Sequence, residues 1–258
     1  RIARNTVLLY FRMILLMLIG LYTSRVILRN LGIVDYGIYN AVGGFVAMFS
    51  ILSASMSSAI SRFITYEMGS SPERQSAVFS SALSTLIFLS VGIILLAETV
   101  GLWWLDSKMV IPDSRSHAAA WVFQLSLLSF VIQLISVPYN ASIIAHEKMD
   151  AFAYIGIVEG LLKLGIAIAI VFSPFDKLVF YAILMCVVSL FVRLLYGSYC
   201  HRKFPETRYS WSFDKEVFKD IFAFAGWNFI GSGALILRDQ GGNQLLNLFF
   251  GPLANAAW

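Results

Sequence analysis

Six apolar runs, at about 7–28, 37–60, 77–101, 118–145, 151–172 and 177–199, follow one another along the chain with only short polar gaps. A spanning helix needs roughly 20 mostly apolar residues, so each run is long enough to cross a bilayer. A seventh run, about 221–250, is interrupted by Arg238-Asp239-Gln240-Gly241-Gly242-Asn243-Gln244. None shows the alternation of a membrane barrel strand, and a helix satisfies its own backbone hydrogen bonds in lipid. The expected fold class is all-α, a polytopic membrane helical bundle.

The polar residues are too few for any other class. Charged residues make up 13% of the chain and the AVILMFWYC set 59%, against about 25% and 45–50% in soluble domains. The formal charge of +4 does not point to nucleic acid, because the Lys and Arg residues fall in gaps between apolar runs and form no basic face. Cys186 and Cys200 are too far apart on one run to bridge. The three histidines, His117, His146 and His201, have no metal-site spacing. No metal or other cofactor is expected.

Turn and charge signals fill the gaps, from Arg29-Asn30-Leu31-Gly32 to Ser173-Pro174-Phe175-Asp176-Lys177. The longest polar stretch, 201–220, reads as a cytoplasmic linker between an N-terminal lobe at 1–200 and a further helix in 221–258. The chain opens at Arg1 without Met and stops at Trp258 as a new apolar run begins. The expectation is a fragment of a longer protein. Alternate gaps carry ten Lys or Arg residues on one side, counting the N-terminus and the linker, and four on the other. Because cytoplasmic loops hold the excess of Lys and Arg, the N-terminus is expected in the cytoplasm.

Charges inside the runs are the informative exceptions, since a charge at the bilayer centre costs about 2.5–3.5 kcal/mol on insertion scales. Arg12 stands one and a half turns into the first run, and Arg238 stands mid-way through the seventh beside Asp239. Both read as cations facing a hydrophilic cavity. Arg25, Arg29 and Arg193 lie near enough to helix ends to snorkel. Glu159 and Lys163, at i and i+4, are either a self-neutralised structural pair or part of the cavity. Gly156 and Gly160 form a GxxxG spacing that lets helices approach closely. Enzyme chemistry is not expected. The short outer loops hold no paired carboxylates or His with acidic neighbours, His146-Glu147 at a helix end being the nearest candidate, and no phosphate-cradling Gly-rich loop occurs.

Several stretches carry a family likeness. Arg1-Ile2-Ala3-Arg4-Asn5-Thr6, Tyr10-Phe11-Arg12-Met13, Tyr22-Thr23-Ser24-Arg25-Val26 and Leu31-Gly32-Ile33-Val34-Asp35-Tyr36-Gly37 open the chain. Gly226-Trp227-Asn228 and Asn243-Gln244-Leu245-Leu246-Asn247 follow near its end. Together they resemble bacterial polysaccharide and O-antigen flippases of the multidrug/oligosaccharidyl-lipid/polysaccharide exporter superfamily.

The resemblance implies two pseudo-symmetric lobes around a central cavity, of which this chain would be one six-helix lobe plus the first, truncated helix of a second. It implies passage of an undecaprenyl-diphosphate-linked oligosaccharide across the bacterial inner membrane, for surface polysaccharide or lipopolysaccharide synthesis. The partners implied are that lipid-linked oligosaccharide, membrane lipid and other polysaccharide-assembly proteins. Arg12, Arg25, Lys163 and Arg238 would be the cavity cations, with Glu159, Asp239 and Asn243 supporting or coupling. Two alternatives stay open: a cation-coupled multidrug exporter of the same superfamily, and a membrane-embedded polysaccharide polymerase or ligase.

Overall fold

The computed structural model describes residues 2–47, 49–107, 111–210 and 214–231, and the regular elements among them are all helical. They are α1 (Ile2–Ala47), α2 (Ser50–Glu67), α3 (Pro72–Leu96), α4 (Leu102–Ser107), α5 (Ser116–Ala145), α6 (Met149–Ala169) and α7 (Lys177–Lys203). The last, α8, covers 215–231. Five helical stretches are long and apolar enough to cross a membrane: Thr6–Gly44, Pro72–Leu105, Ser116–Ala145, Met149–Phe172 and Lys177–Lys203. The chain is thus a multi-pass helical membrane protein.

Gly32 sets the path of the first stretch. It is the one non-helical residue inside α1, at φ 81° and ψ 172°, in the region where a Cβ is strained and glycine is not. The chain reverses there, because Arg12 before it and Ser53 and Ser57 after it line the same cavity. α1 is therefore two arms, 2–31 and 33–47. The polar Arg29-Asn30 pair stays helical, with the Asn30 amide donating to the Val26 carbonyl at 2.8 Å. The turn consequently takes one residue, where the polar gap in the sequence suggested about eight.

Ion pairs tie the helix ends together. At one end Arg115, just before α5, donates to both Asp35 of the second α1 arm and Asp176 at the start of α7. Asp35 is buried, so this partner offsets a costly carboxylate. The Arg115 guanidinium loses solvation there, but the two carboxylates outweigh that and hold its pKa above the usual value. Asp176 also caps α7 by accepting from the Leu178 and Val179 N–H groups. At the other end Arg74 bridges Glu67 at 3.6 Å and Asp214 at 2.5 Å, and His146 meets Glu206 at 3.0 Å.

α5 is the central helix, packed on α7, α2, α1 and α3. Val122, Leu134 and Ile143 along it are fully enclosed. α3 buries five polar residues, Ser80, Ser81, Ser84, Thr85 and Ser90, each of which needs a partner in an apolar surrounding. Thr85 and Ser90 bond back to helix carbonyls. Ser80 and Ser81 instead receive the segment after α7: the Ser210 N–H donates to Ser80 Oγ at 3.0 Å and the Asp214 N–H to Ser81 Oγ at 2.9 Å. Ser84 adds a bond to the Tyr209 hydroxyl at 3.1 Å. Tyr209, Ser210 and Asp214, beyond the end of α7 at Lys203, are thus held against α3.

Candidate functional site

The first arm of α1 lies along α6 at the glycine pair. A Cβ on Gly156 would overlap the Arg12 guanidinium, and one on Gly160 would overlap Leu16. The GxxxG spacing therefore makes room for specific side chains as well as a close helix approach. Arg12 fills the niche at Gly156, with its guanidinium carbon 4.4 Å from the centre of the Phe152 ring, a cation–π arrangement. Its Nε is buried with no hydrogen-bond partner. Among the described residues Arg12 has no ion-pair partner either.

Two cavities meet at this arginine. One, of about 440 Å³, is bounded by α1, α2, α5, α6 and α7 and includes Arg12, Ser53, Gln133, Asn140 and Glu159. The second, of about 460 Å³, lies between the two arms of α1, α6 and α7, and includes Arg12, Asn40, Glu159, Lys163 and Tyr181. A third of about 270 Å³ shares Ser50, Phe130, Gln133 and Ser189 with the first. Glu159, at the midpoint of α6, borders the first two and accepts from Lys163 Nζ at 2.5 Å. That pair is locally neutral, which leaves Arg12 as the net charge of the cavity walls among the described residues.

The structure brings together three of the residues singled out in the sequence, Arg12, Glu159 and Lys163. Arg25 is exposed and does not line any of these three cavities. Arg238, Asp239 and Asn243 lie outside the described residues. Arg193 does not reach the end of α7 to snorkel; its guanidinium stacks 3.9 Å from the centre of the Tyr139 ring.

Sequence reasoning centred on charge missed the uncharged lining. Ser50, Ser53 and Ser57 of α2, Gln133 and Asn140 of α5 and Ser189 of α7 all border the first cavity. The signal was available as spacing, because 50/53/57 and 126/129/133/136/140 repeat at three and four residues along apolar helices. Gln133 is exposed although it stands at the middle of a spanning helix. An amide in that position calls for a polar surrounding in place of hydrocarbon, and the cavity supplies it.

The chain matches the family described as polysaccharide biosynthesis protein over residues 2–258. It belongs to that family. Its role accordingly lies in the synthesis or export of polysaccharide. No curated protein and no solved structure matches it. For a member of a polysaccharide family the arrangement has a plain chemical capacity. One guanidinium with donors to spare can hold an anionic group bidentately, and the hydroxyls and amides beside it can hydrogen-bond a polar one.

Proposed function

We propose that this chain forms a transport lobe of a flippase, which carries an undecaprenyl-diphosphate-linked oligosaccharide across the bacterial inner membrane for surface polysaccharide or lipopolysaccharide synthesis. The observation that carries the reading is Arg12, an arginine without an ion-pair partner among the described residues, at the junction of two polar cavities inside a bundle of spanning helices. A diphosphate is the anion an arginine is best shaped to hold. The sugars it bears cannot cross hydrocarbon unaided, and the cavity gives them polar walls while the polyprenyl tail stays in lipid. A second lobe, as the family resemblance implies, would close the cavity and rock against this one in alternating access. The chain then moves its substrate without covalent chemistry and is not an enzyme.

The charge distribution supports a cytoplasmic N-terminus. Arg74, Lys148, Arg202, Lys203 and Arg208 gather at the end where α3 and α6 start and α7 finishes, while Arg29, Arg115 and Lys177 occupy the opposite end. The excess side is the cytoplasmic one. A cation-coupled drug exporter would use a free carboxylate in the cavity, and the carboxylate that lines these cavities among the described residues, Glu159, is already held by Lys163.

The experiment is gene deletion followed by assay of the two leaflets. Lipid-linked oligosaccharide accumulates on the cytoplasmic leaflet and surface polysaccharide is lost. Normal surface polysaccharide in the deletion strain would sink the proposal.

A further inference from the structure

The walls around Gln133 differ in kind from the walls around Arg12. The polar part of cavity 3 and of the adjoining wall of cavity 1 is made of serine hydroxyls and the Gln133 amide, with the Phe130 ring common to both and Tyr39 at the edge of cavity 3. The charged residues of the first cavity, Arg12 and Glu159, are both carried by the α1–α6 side, and the third cavity has neither. The nearest titratable group in the third is the Tyr39 phenol.

The hydroxyls are also oriented. Ser129 donates to the Leu125 carbonyl at 2.7 Å, Ser136 to Ile132 at 2.8 Å and Ser189 to Met185 at 3.0 Å. With their protons held by the helix, these oxygens offer lone pairs to whatever fills the cavity. Gln133 offers both a donor pair and an acceptor, and Asn140 Oδ1 has no partner. All of this hydrogen-bonding capacity is neutral.

We infer that this compartment is a glycan subsite selective for uncharged sugars, with Gln133 and Ser53 as specificity-determining residues and Phe130 as the stacking face for a pyranose ring. The inference rests on the flippase reading and names which sugars the lobe accepts. Its physical basis is desolvation. A hydroxyl-rich neutral ring exchanges water for hydroxyls and amides at little net cost, whereas a uronate would meet a wall on which, among the described residues, no cation stands, the one cation of the first cavity, Arg12, being on its α1–α6 side. The diphosphate stays with Arg12, on the other side of the same cavity.

The test uses the full chain in detergent and three synthetic probes: a polyprenyl diphosphate with a neutral disaccharide, the same compound with a hexuronic acid in place of one hexose, and the sugar-free diphosphate. The neutral compound binds at least about tenfold more tightly than the uronate, and Ser53→Ala with Gln133→Leu removes about tenfold of its affinity. Both substitutions are mild in an apolar helix, and unchanged binding of the sugar-free diphosphate reports that the variant is folded. Equal or tighter binding of the uronate overturns the sugar inference, as does a parallel loss for the sugar-free probe. Arg12→Ala separates the two readings. If it leaves all three affinities unchanged, the headgroup assignment falls, whatever the sugars do.

Discussion

Two groups of serines, alike in sequence, meet opposite fates in this bundle. On α3, Ser80, Ser81 and Ser84 bind Ser210, Asp214 and Tyr209 and are consumed in holding them. On α2, Ser50, Ser53 and Ser57 face a cavity. The helices around them differ in the same sense. The most apolar window of Pro72–Leu105 is 56% buried, whereas that of Thr6–Gly44 is 6% buried at nearly the same hydropathy, 2.2 against 1.9. Hydropathy thus says that a segment enters lipid, and nothing about whether protein, lipid or a cavity faces its polar residues. The α3 side is built to stay closed and the α1–α2–α5 side to hold something.

The comparison breaks most sharply at Arg12. Arg12→Ala lowers transport of lipid-linked oligosaccharide by roughly 100-fold or more, the loss expected for a bidentate charge-assisted contact, while membrane insertion and expression stay normal. Leaflet assays in a complemented deletion strain measure it, and full activity would remove Arg12 from the site. Gly156→Val reaches the same end from α6. Its side chain occupies the guanidinium niche, so transport falls about tenfold or more with Arg12 still present, and Gly156→Ala falls less.

The closed side is tested through stability. Arg115→Ala leaves the buried Asp35 carboxylate without its cation, which costs about 3 kcal/mol or more and shows as a lowered unfolding temperature in detergent. Ser80→Ala with Ser81→Ala costs roughly 1–3 kcal/mol and loosens the 204–214 connection to protease. It leaves substrate preference alone, the reverse of what Ser53→Ala does. Equal effects of both serine changes on substrate preference would erase the distinction between the two sides.

The smallest expected effect is on pH. Burial opposes ionisation of Asp214, but the Val217 N–H, the Arg74 guanidinium and the Glu216 N–H together hold its carboxyl below the usual range. A depressed folded-state value means that the stabilisation is complete above the ordinary carboxylate value near 3.9 and is lost as pH falls through the lowered one. Protease release of the connection should therefore appear only in acid below about pH 4, with Asp214→Asn releasing it at neutral pH.

Much of the bundle was legible because lipid imposes a length and a composition on anything that crosses it. Arg12, Glu159 and Lys163 were legible for a related reason, since a charge in such a run requires a compensating surround. Gln133 and the α2 serines were overlooked because neutral polar residues carry little penalty in a hydropathy profile, although their three- and four-residue spacing marked one face.

The sequence by itself determined the class of the protein, its multi-pass helical character and the presence of a cation where cations are expensive. These follow from the free energy of transferring each segment into lipid, which is local to the segment. Only the tertiary structure decided that the chain reverses on Gly32 alone, that α3 spends its serines on Tyr209, Ser210 and Asp214, and that Arg12 lies in the notch left by Gly156 with two polar cavities beside it. Those outcomes depend on which faces meet across distant parts of the chain, and packing between helices sets that, not the hydropathy of any one of them.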